Sequence, residues 1–273
     1  MEKIKGSRVL ITGASSGIGK AMAFELADRG AKLAITSRRF NNLRKVAEDI
    51  GYAFPDLPAP IVIPCDVTGM ENVERLVKSC VDHFGGIDIL INNAGIGVYG
   101  DTERTTLDDF HLVMEVNFFG AVNCVLEVLP LMKKDGKGLI VNIASVAAKH
   151  GVPYLGAYSA SKAALVALSQ SLRAELSNSD ISIMIVYPGY TQTDFFAKEK
   201  KVGGAHRPPG PYTSVQKVAK TIVRAIESEK QDLVLSLEGK ALTFSQSLMP
   251  WLVERATERI AYKLRDKKEE YNE

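Results

Sequence analysis

Short apolar runs alternate with longer amphipathic segments along most of the chain, and this alternation restricts the fold more than any other feature. The runs are rich in Ile, Val and Leu, as expected for strands that are buried on both faces. The predicted strands are residues 8–12, 32–36, 61–65, 87–91, 138–144, 181–187 and 232–236. Strands that alternate with helices in this way indicate an α/β fold with one doubly wound parallel sheet and helices on both faces.

A glycine-rich turn joins the first predicted strand to the helix that follows it. The sequence Thr12-Gly-Ala-Ser-Ser-Gly-Ile-Gly19 places three glycines where the strand ends and the helix begins. Glycine lets the backbone approach an anion, and a helix N-terminus offers unpaired N–H groups and positive potential. A tight turn without a ligand is the alternative, but the arrangement favours a nucleotide phosphate.

The residues after the second predicted strand bear on the choice of nucleotide. An acidic residue at this position binds the ribose hydroxyls of NAD, whereas an arginine accommodates the 2′-phosphate of NADP. Here the acid is missing and Ser37-Arg38-Arg39 follows the strand. We predict NADP(H) in preference to NAD(H), and we choose Arg38 for the phosphate because a guanidinium can bind it bidentately.

Tyr158 and Lys162 are four residues apart and therefore share one face of a predicted helix. A free tyrosine, with a pKa of about 10, is a poor acid–base catalyst at neutral pH. An ammonium at ~4 Å and an effective dielectric of ~20 attracts a phenolate by roughly 4 kcal/mol, or about three pKa units. Ser145 ends the predicted strand upstream, where its hydroxyl could hold a substrate oxygen. Such a Tyr–Lys pair also arises by chance in many helices, so the rest of the chain has to support it.

Composition limits the remaining classes of function. The 273 residues are 46% hydrophobic, which suits one large domain or at most two small ones, and the formal net charge of +2 gives no footprint for nucleic acid. No apolar run approaches the ~20 residues needed to span a bilayer, and residues 1–8 lack the apolar core of a signal peptide. We expect a soluble cytoplasmic protein.

The cysteines and histidines indicate no metal site. Cys65, Cys80 and Cys124 are odd in number and lie in apolar surroundings, so we expect reduced thiols that pack in the core. The four histidines show no metal-ligand spacing, and we predict no structural or catalytic metal.

Several motifs together closely resemble the short-chain dehydrogenase/reductase family. The resemblance covers about residues 5–195, with the motifs in the family's order and spacing; they are Thr12-Gly-x-x-x-Gly-x-Gly19, Asn92-Asn-Ala-Gly95, Asn117, Ser145, Tyr158-x-x-x-Lys162 and Pro188-Gly-x-x-x-Thr193. The resemblance implies a seven-stranded Rossmann-type domain, a nicotinamide cofactor and hydride transfer to or from a carbonyl. It also implies a homodimer or homotetramer that pairs through the helices bearing Asn117 and Tyr158.

The resemblance assigns a role to each member of the catalytic set. Ser145 would bind the substrate oxygen, and Tyr158 would donate or remove the proton. Lys162 would lower the pKa of the tyrosine and hold the nicotinamide ribose, and Asn117 would anchor a water that relays protons to solvent.

The resemblance also indicates a set of cofactor-binding residues, which differs at one position from many NADP-preferring members. That position is Ser16, where those members carry a basic residue. The predicted set is Gly13, Ser15, Ser16, Gly17, Ile18, Gly19, Arg38, Asp66, Val67, Asn93, Ala94, Gly95, Tyr158, Lys162, Pro188, Gly189, Thr191 and Thr193.

The segment 194–214 is expected to form a mobile lid over the substrate, because it follows the sixth strand and mixes aromatic, charged, glycine and proline residues. The residues predicted to wall an apolar substrate pocket are Val98, Tyr99, Leu155, Tyr190, Phe195 and Phe196. The alternative for the two phenylalanines is that they pin the loop to the core.

The C-terminal part, residues 240–273, is expected to be a helix with a charged tail appended to a domain of residues 1–239. Leu248, Leu252, Ala256, Ile260 and Leu264 recur every four residues beside arginines and lysines. Three roles fit such a helix: it covers its own domain, it lies on an acidic membrane surface, or it docks on a partner subunit.

The leading hypothesis is an NADP(H)-dependent oxidoreductase for a ketone or secondary alcohol, with an apolar or lipid-like substrate such as a 3-oxoacyl, steroid or sphingoid-type ketone. A redox-inactive NADP-binding regulatory or scaffold protein is one alternative, and a membrane-surface interaction protein is another. Loss of Tyr158 or Lys162 would indicate a sensor; both are present, which favours an enzyme.

Overall fold

The computed structural model describes residues 4–193, 195, 199–204 and 212–265. The strands are β1 (Arg8–Thr12), β2 (Lys32–Ser37), β3 (Ile61–Pro64), β4 (Ile89–Asn92), β5 (Val98–Gly100), β6 (Lys137–Ile143), β7 (Asp180–Tyr187), β8 (Thr191–Gln192), β9 (Lys200–Val202), β10 (Thr213–Ser214) and β11 (Asp232–Val234). The helices are α1 (Gly17–Asp28), α2 (Phe40–Ala53), α3 (Met70–Phe84), α4 (Leu107–Met114), α5 (Gly120–Asp135), α6 (Gly156–Glu175), α7 (Val215–Glu227), α8 (Leu237–Leu248) and α9 (Pro250–Leu264). A π-helical segment, Glu115–Phe119, joins α4 to α5.

Within the described residues, seven strands form one parallel sheet in the order β11-β7-β6-β4-β1-β2-β3. The predicted doubly wound fold is confirmed. The chain runs outward from β1 to β3 and then crosses back to β4, so the strand order reverses beside β1. Ligands of such sheets bind at this switch point, outside the carboxyl ends of the strands.

The middle of β1, Val9–Ile11, shows why three consecutive residues of this strand are apolar. Val9 and Ile11 pack in a core cluster with α1 and α7, whereas Leu10 packs in a second cluster with α3 and α5. Side chains of a strand alternate between the two faces, and helices cover both faces here. None of these three side chains therefore faces water.

The C-terminal part differs from the sequence prediction. Two helices replace the single one, because Pro250 starts a new helix directly after Met249, and the expected domain boundary after Gly239 falls inside α8. Helix α9 packs on the domain through another face than the predicted stripe: Val253 is 6% exposed, whereas Leu252 is 41% exposed. Four residues of the stripe are therefore exposed, namely Leu248, Leu252, Ala256 and Ile260, whereas the last one, Leu264, is buried.

Among the described residues, one helical stretch, Leu107–Asp135, is long and apolar enough to cross a membrane by length and composition. The sequence reading had expected no such segment. Nearly half of its most apolar window is buried inside the domain, and α5 contributes Cys124, Val125 and Val128 to the core. The core helix of a soluble protein can have the same length and apolar composition, so this stretch is weak evidence for a membrane span.

The surface of the same stretch bears on the expected pairing of subunits. Phe119 and Leu126 are 44% and 55% exposed, and they lie on the helical stretch that carries Asn117. That the protein forms a homodimer or homotetramer stays a prediction. Analytical ultracentrifugation tests it, because the sedimentation coefficient reports the number of subunits.

The three cysteines are free and buried, as predicted. Burial raises the pKa of the Cys65 thiol to about 11 and those of Cys80 and Cys124 to about 12. Such thiols stay protonated and unreactive at neutral pH. Across residues 4–193, 195, 199–204 and 212–265, no group of three or more His, Cys, Asp or Glu side chains is placed to hold a metal ion.

Candidate active site

A cavity of about 460 Å³ lies over the carboxyl ends of the central strands. Its volume is in the range of ligand pockets. Most of the predicted cofactor and catalytic residues form its wall: Gly13, Ser15, Ser16, Gly17, Ile18, Arg38, Asp66, Val67, Asn93, Ala94, Gly95, Ser145, Tyr158, Lys162, Pro188, Gly189, Thr191 and Thr193.

The glycine-rich turn has the backbone that an anion site requires. Gly13 and Gly17 have φ angles of +67° and +57°, where a side chain is strained. A Cβ on Gly13 would also lie 2.8 Å from Ala94 Cα. Gly19 is not in the cavity wall; a Cβ there would lie 2.6 Å from Gly13 O, so this glycine allows α1 to pack on the turn.

The N-terminus of α1 is available to a ligand. Its N-cap, Ser16, makes no side-chain capping hydrogen bond, and the first turn contains no acidic residue. Ser16, Gly17 and Ile18 all line the cavity. These residues fit the pyrophosphate of a dinucleotide, because the helix N–H groups and the positive end of the helix dipole meet it.

The two arginines after β2 both line the cavity but have different partners. Arg39 donates from Nη2 to Ser15 Oγ and Ser16 Oγ, each at 2.9 Å, and so holds the glycine-rich turn. The side chain of Arg38 is 58% exposed, with Nη1 3.9 Å from Asp66 Oδ2. Arg38 therefore has fewer hydrogen-bond partners in the protein than Arg39, and its contact with a 2′-phosphate stays a prediction.

Ser145 lies directly after β6, at the start of a short 3₁₀ turn. Its Oγ accepts a hydrogen bond from Ala147 N at 3.2 Å. That bond occupies an acceptor position and leaves the hydroxyl hydrogen available to donate into the cavity. The residue can therefore hold a substrate oxygen.

Tyr158 and Lys162 both reach the cavity from the first turns of α6. Lys162 Nζ donates to Ile143 O at 2.8 Å and lies 6.0 Å from the centre of the Tyr158 ring. Burial lowers the pKa of Lys162 from 10.5 to about 8.

Asn117 lies outside the cavity wall, in the π-helical segment before α5. Its Oδ1 accepts from Ile96 N at 2.8 Å, and its Nδ2 donates to Ile96 O at 2.9 Å and to Ser161 Oγ at 3.0 Å. A Cβ on Gly95 would meet both Asn117 Oδ1, at 3.2 Å, and Lys162 Nζ, at 3.5 Å. Both amide hydrogens are used, so a relay water would have to donate to an oxygen of Asn117. That role stays a prediction.

The structure supports only part of the predicted substrate pocket. Leu155, Tyr190 and Phe195 line the cavity, whereas Phe196 lies outside the described residues. Val98 and Tyr99 do not line the cavity, so their prediction as substrate-pocket residues was wrong. The reason is that β5 pairs with β9, which buries both side chains: Val98 packs with Val113 and Ala157, and Tyr99 with Tyr154.

Phe195 packs the segment after β8 against Tyr158. Its ring lies 5.7 Å from that of Tyr158, centre to centre, in an edge-to-face arrangement. Further on, β9 pairs with β5 and β10 pairs with β8. The predicted lid is thus fixed to the domain at two places.

Several residues of the cavity wall were not predicted: Arg39, Ile96, Gly97, Val152 and Glu199. Ile96 and Gly97 directly follow the Asn92-Asn-Ala-Gly95 motif, so their sequence position was a usable signal. Val152 and Glu199 lie in connecting segments with no periodic pattern, and only the folded chain brings them to the site.

Helix α9 contacts the loop that precedes Tyr158. Tyr154, which has a φ of 65°, donates from Oη to Ala261 O at 3.0 Å. His150 Nε2 lies 3.2 Å from Thr257 Oγ1. The C-terminal helix therefore holds the loop that leads to Tyr158.

Comparisons with known proteins agree with this geometry. Residues 7–202 match the sequence profile described as "short chain dehydrogenase". The chain is 37% identical over 258 residues to a protein of Arabidopsis thaliana named "11-beta-hydroxysteroid dehydrogenase-like 2", with 92% of this chain and 77% of the relative covered.

Two solved structures are similar over nearly their whole length. A short-chain dehydrogenase/reductase from Burkholderia phymatum in complex with NAD has a TM-score of 0.82 and 25% identity, covering 92% of this chain and 96% of the other. A short-chain dehydrogenase from Burkholderia cenocepacia in complex with NADP has a TM-score of 0.79 and 25% identity, covering 93% and 98%. Proteins of this fold thus bind either nicotinamide dinucleotide.

Proposed function

The chain belongs to the short-chain dehydrogenase/reductase family of oxidoreductases, and from that premise we propose that it transfers a hydride between NADP(H) and a ketone or secondary alcohol. The observation that carries the proposal is the meeting of Ser145, Tyr158 and Lys162 with the glycine-rich turn in one cavity. A turn that binds phosphate and an acid–base group are needed together for this reaction class.

The bound dinucleotide supplies the hydride or accepts it at its nicotinamide ring. The side chains of the protein orient the carbonyl and handle the proton. Ser145 donates its hydroxyl hydrogen to the substrate oxygen, and Tyr158 gives that oxygen a proton on reduction or removes it on oxidation. Lys162, held by Ile143 O, places a cation beside the phenol and favours its ionised form.

The wall around the catalytic residues supports an apolar substrate. Val152, Leu155, Tyr190 and Phe195 contribute to it, and aromatic and aliphatic surfaces of this kind favour cyclic or long-chain carbonyl compounds. We place steroid-type and 3-oxoacyl-type ketones first among the candidates. The similarity to the Arabidopsis thaliana relative, whose name refers to a hydroxysteroid, supports the first class.

A panel of ketones tests the proposal, with the nicotinamide absorbance as the signal. It should include bulky cyclic ketones and 3-oxoacyl thioesters, each with NADPH and with NADH. We expect turnover of at least one apolar ketone with NADPH. Tight binding of NADPH without turnover of any carbonyl would instead favour a redox-inactive dinucleotide-binding protein.

The choice of NADP(H) leads to a prediction for Arg38. We expect Arg38→Leu to raise the KM for NADPH by roughly 10- to 100-fold, the worth of a charge-assisted hydrogen bond. The KM for NADH should change less than about threefold, because NADH lacks the 2′-phosphate. Steady-state kinetics with both dinucleotides provides the measurement.

Arg39→Leu is the matched control for the preceding experiment. Arg39 holds the hydroxyls of Ser15 and Ser16 in the glycine-rich turn. Its loss should therefore weaken the binding of NADPH and of NADH to a similar extent. Equal effects of Arg38→Leu on NADPH and NADH would contradict the assignment of the 2′-phosphate to Arg38.

The exposed face of the C-terminal helices supports a second proposal, contact with an anionic membrane surface. Leu248, Trp251 and Leu252 are 61%, 56% and 41% exposed around the junction of α8 and α9. Arg255 and Arg259 are exposed on the same helix. An apolar patch beside basic residues is the pattern of an interfacial helix.

The membrane proposal predicts co-sedimentation of the protein with vesicles that contain phosphatidylserine. The double variant Trp251→Ser/Leu252→Ser should bind the vesicles at least about tenfold more weakly. The reason is that both side chains would be buried in the membrane surface on binding, where each contributes favourable free energy. Tyr52→Ser, which removes an exposed aromatic from α2, is the control and should bind normally. Equal binding of all three proteins would rule out this contact.

A further inference from the structure

One end of the cavity is formed by the loop that joins β3 to α3, residues 65–69, and a side chain of α5 holds this β3–α3 loop. Asp66 and Val67 of the loop line the cavity. Asn123, on α5, donates from Nδ2 to Val67 O at 2.9 Å and to Thr68 O at 3.3 Å. Asn123 itself is not part of the cavity wall. Its influence on a bound ligand therefore passes through the loop.

Hydrogen bonds within the β3–α3 loop set its internal shape. Asp66 Oδ1 accepts from Thr68 N at 3.2 Å and from Thr68 Oγ1 at 2.9 Å. Gly69 N donates to Asp66 O at 3.3 Å. The bonds from Asn123 differ because they join the loop to a helix from a distant part of the chain. A carboxamide suits this task, since each of its two amide hydrogens can meet one carbonyl oxygen.

Helix α5 also provides the surface on which Val67 packs. A Cβ on Gly120 would lie 2.6 Å from Val67 Cγ2, a distance that real Cβ atoms almost never show. Val67 is buried in the same core cluster as Cys124 and Val125. The backbone and the side chain of Val67 are thus both fixed by the first two turns of α5.

The strand order places the β3–α3 loop at the opposite end of the cavity from Tyr158. In the sheet, β1 lies between β4 and β2, so the glycine-rich turn after β1 lies between the two ends. Tyr158 lies after β6 on one side, whereas Arg38 and Asp66 follow β2 and β3 on the other. A dinucleotide whose pyrophosphate meets the turn and whose nicotinamide meets Tyr158 therefore extends its adenosine half toward Val67.

We propose that Asn123 is a positioning residue for the adenosine half of the dinucleotide, because it holds the β3–α3 loop in the shape that receives the base. This inference rests on the proposed function and deepens it, since it assigns a residue outside the cavity wall to cofactor binding. Without Asn123 the ligand has to order the loop itself, and the lost conformational freedom weakens binding. The nicotinamide half binds at the other end of the cavity and should not be affected.

The affinities of the two halves of the dinucleotide test this assignment. Ligand-observed NMR titration, which detects weak binding, is used for 2′-phospho-ADP-ribose and for reduced nicotinamide mononucleotide, and fluorescence titration is used for NADPH. Asn123→Ala should raise the Kd of NADPH and of 2′-phospho-ADP-ribose by roughly 3- to 10-fold, the worth of a hydrogen bond. The Kd of reduced nicotinamide mononucleotide should change less than about twofold, because this half binds away from the loop.

Asn123→Asp separates hydrogen bonding from packing. Aspartate has nearly the same shape as asparagine, but it presents a carboxylate to the two carbonyl oxygens and cannot donate to them. It should weaken NADPH and 2′-phospho-ADP-ribose at least as much as Asn123→Ala does. Glu127→Ala, one turn further along α5, is the matched control and should bind both halves as the wild type does.

Equal weakening of both halves by Asn123→Ala would overturn the inference and leave the proposed function intact. Unchanged affinity for 2′-phospho-ADP-ribose in Asn123→Ala and Asn123→Asp would do the same. Failure of the proposed function gives a different result, namely NADPH binding without reduction of any ketone. The affinities of the two halves still decide the role of Asn123 in that case, because binding needs no reaction. A wild-type protein that binds neither NADPH nor NADH would overturn both proposals.

Discussion

Replacement of Tyr158 by phenylalanine is expected to lower kcat by roughly 10³-fold, within the range of 10² to 10⁴ that general acid–base catalysis contributes. The variant keeps the ring that packs against Phe195 and removes only the hydroxyl. The fold and the glycine-rich turn should therefore be unaffected. Steady-state rates with the best ketone of the panel provide the measurement.

Binding of NADPH separates loss of chemistry from loss of the site. The affinity of Tyr158→Phe for NADPH, measured by fluorescence titration, should stay within about fivefold of the wild type because the phosphate-binding turn is intact. Tyr154→Phe removes a phenol hydroxyl from the neighbouring loop and its hydrogen bond to Ala261 O. This control should lose less than about tenfold in kcat/KM. Normal turnover by Tyr158→Phe with every substrate would refute the acid–base assignment.

Lys162→Met should also lower kcat by at least about 10²-fold, because the phenol loses the neighbouring cation. Unlike its effect on kcat, the same change is not expected to lower the free energy of unfolding. A pKa lowered from 10.5 to about 8 corresponds to about 3 kcal/mol of unfavourable free energy for the buried ammonium. The lost bond to Ile143 O costs roughly 1–3 kcal/mol. At neutral pH the variant should thus be about as stable as the wild type, or slightly more stable.

The pH dependence of stability isolates the buried charge. Between the folded pKa of about 8 and the unfolded value of 10.5, the unfolded state binds more protons at Lys162 than the folded state does. The stability of the wild type therefore rises with pH across this window, relative to the variant, by up to about 3 kcal/mol.

Urea unfolding of wild type and Lys162→Met, at about pH 7 and about pH 10, measures this difference. Lys32→Met removes an exposed lysine of β2 and serves as the control. A difference between wild type and Lys162→Met that stays constant with pH would contradict the lowered pKa.

The sequence predicted the fold because its strands are apolar on both faces. Val9, Leu10 and Ile11 have no polar position among them, and only a sheet with helices on both sides buries all three. The glycine-rich turn was equally readable, because its positive φ angles and close contacts allow no other residue type at Gly13.

Features that depend on distant packing could not be read in this way. Val98 and Tyr99 follow the Asn92-Asn-Ala-Gly95 motif and seemed placed for the substrate, but their pairing with β9 turns them into core residues. Glu199 has no periodic signal, and only the folded chain brings it to the cavity. The apolar stripe of α9 was visible in the sequence, but the outward direction of Leu252 was not.

The most direct test of the central claim follows the hydride itself. Incubation of the enzyme with a ketone from the panel and NADPH deuterated at the nicotinamide C4 should give an alcohol with one deuterium on the former carbonyl carbon. Mass spectrometry of the product detects it, and Tyr158→Phe should form this product at a rate lower by roughly 10³-fold. The experiment is run with deuterium on one face of the nicotinamide C4 and then on the other. Alcohol that contains no deuterium in both experiments would contradict the account, and so would the absence of any alcohol while NADPH binds.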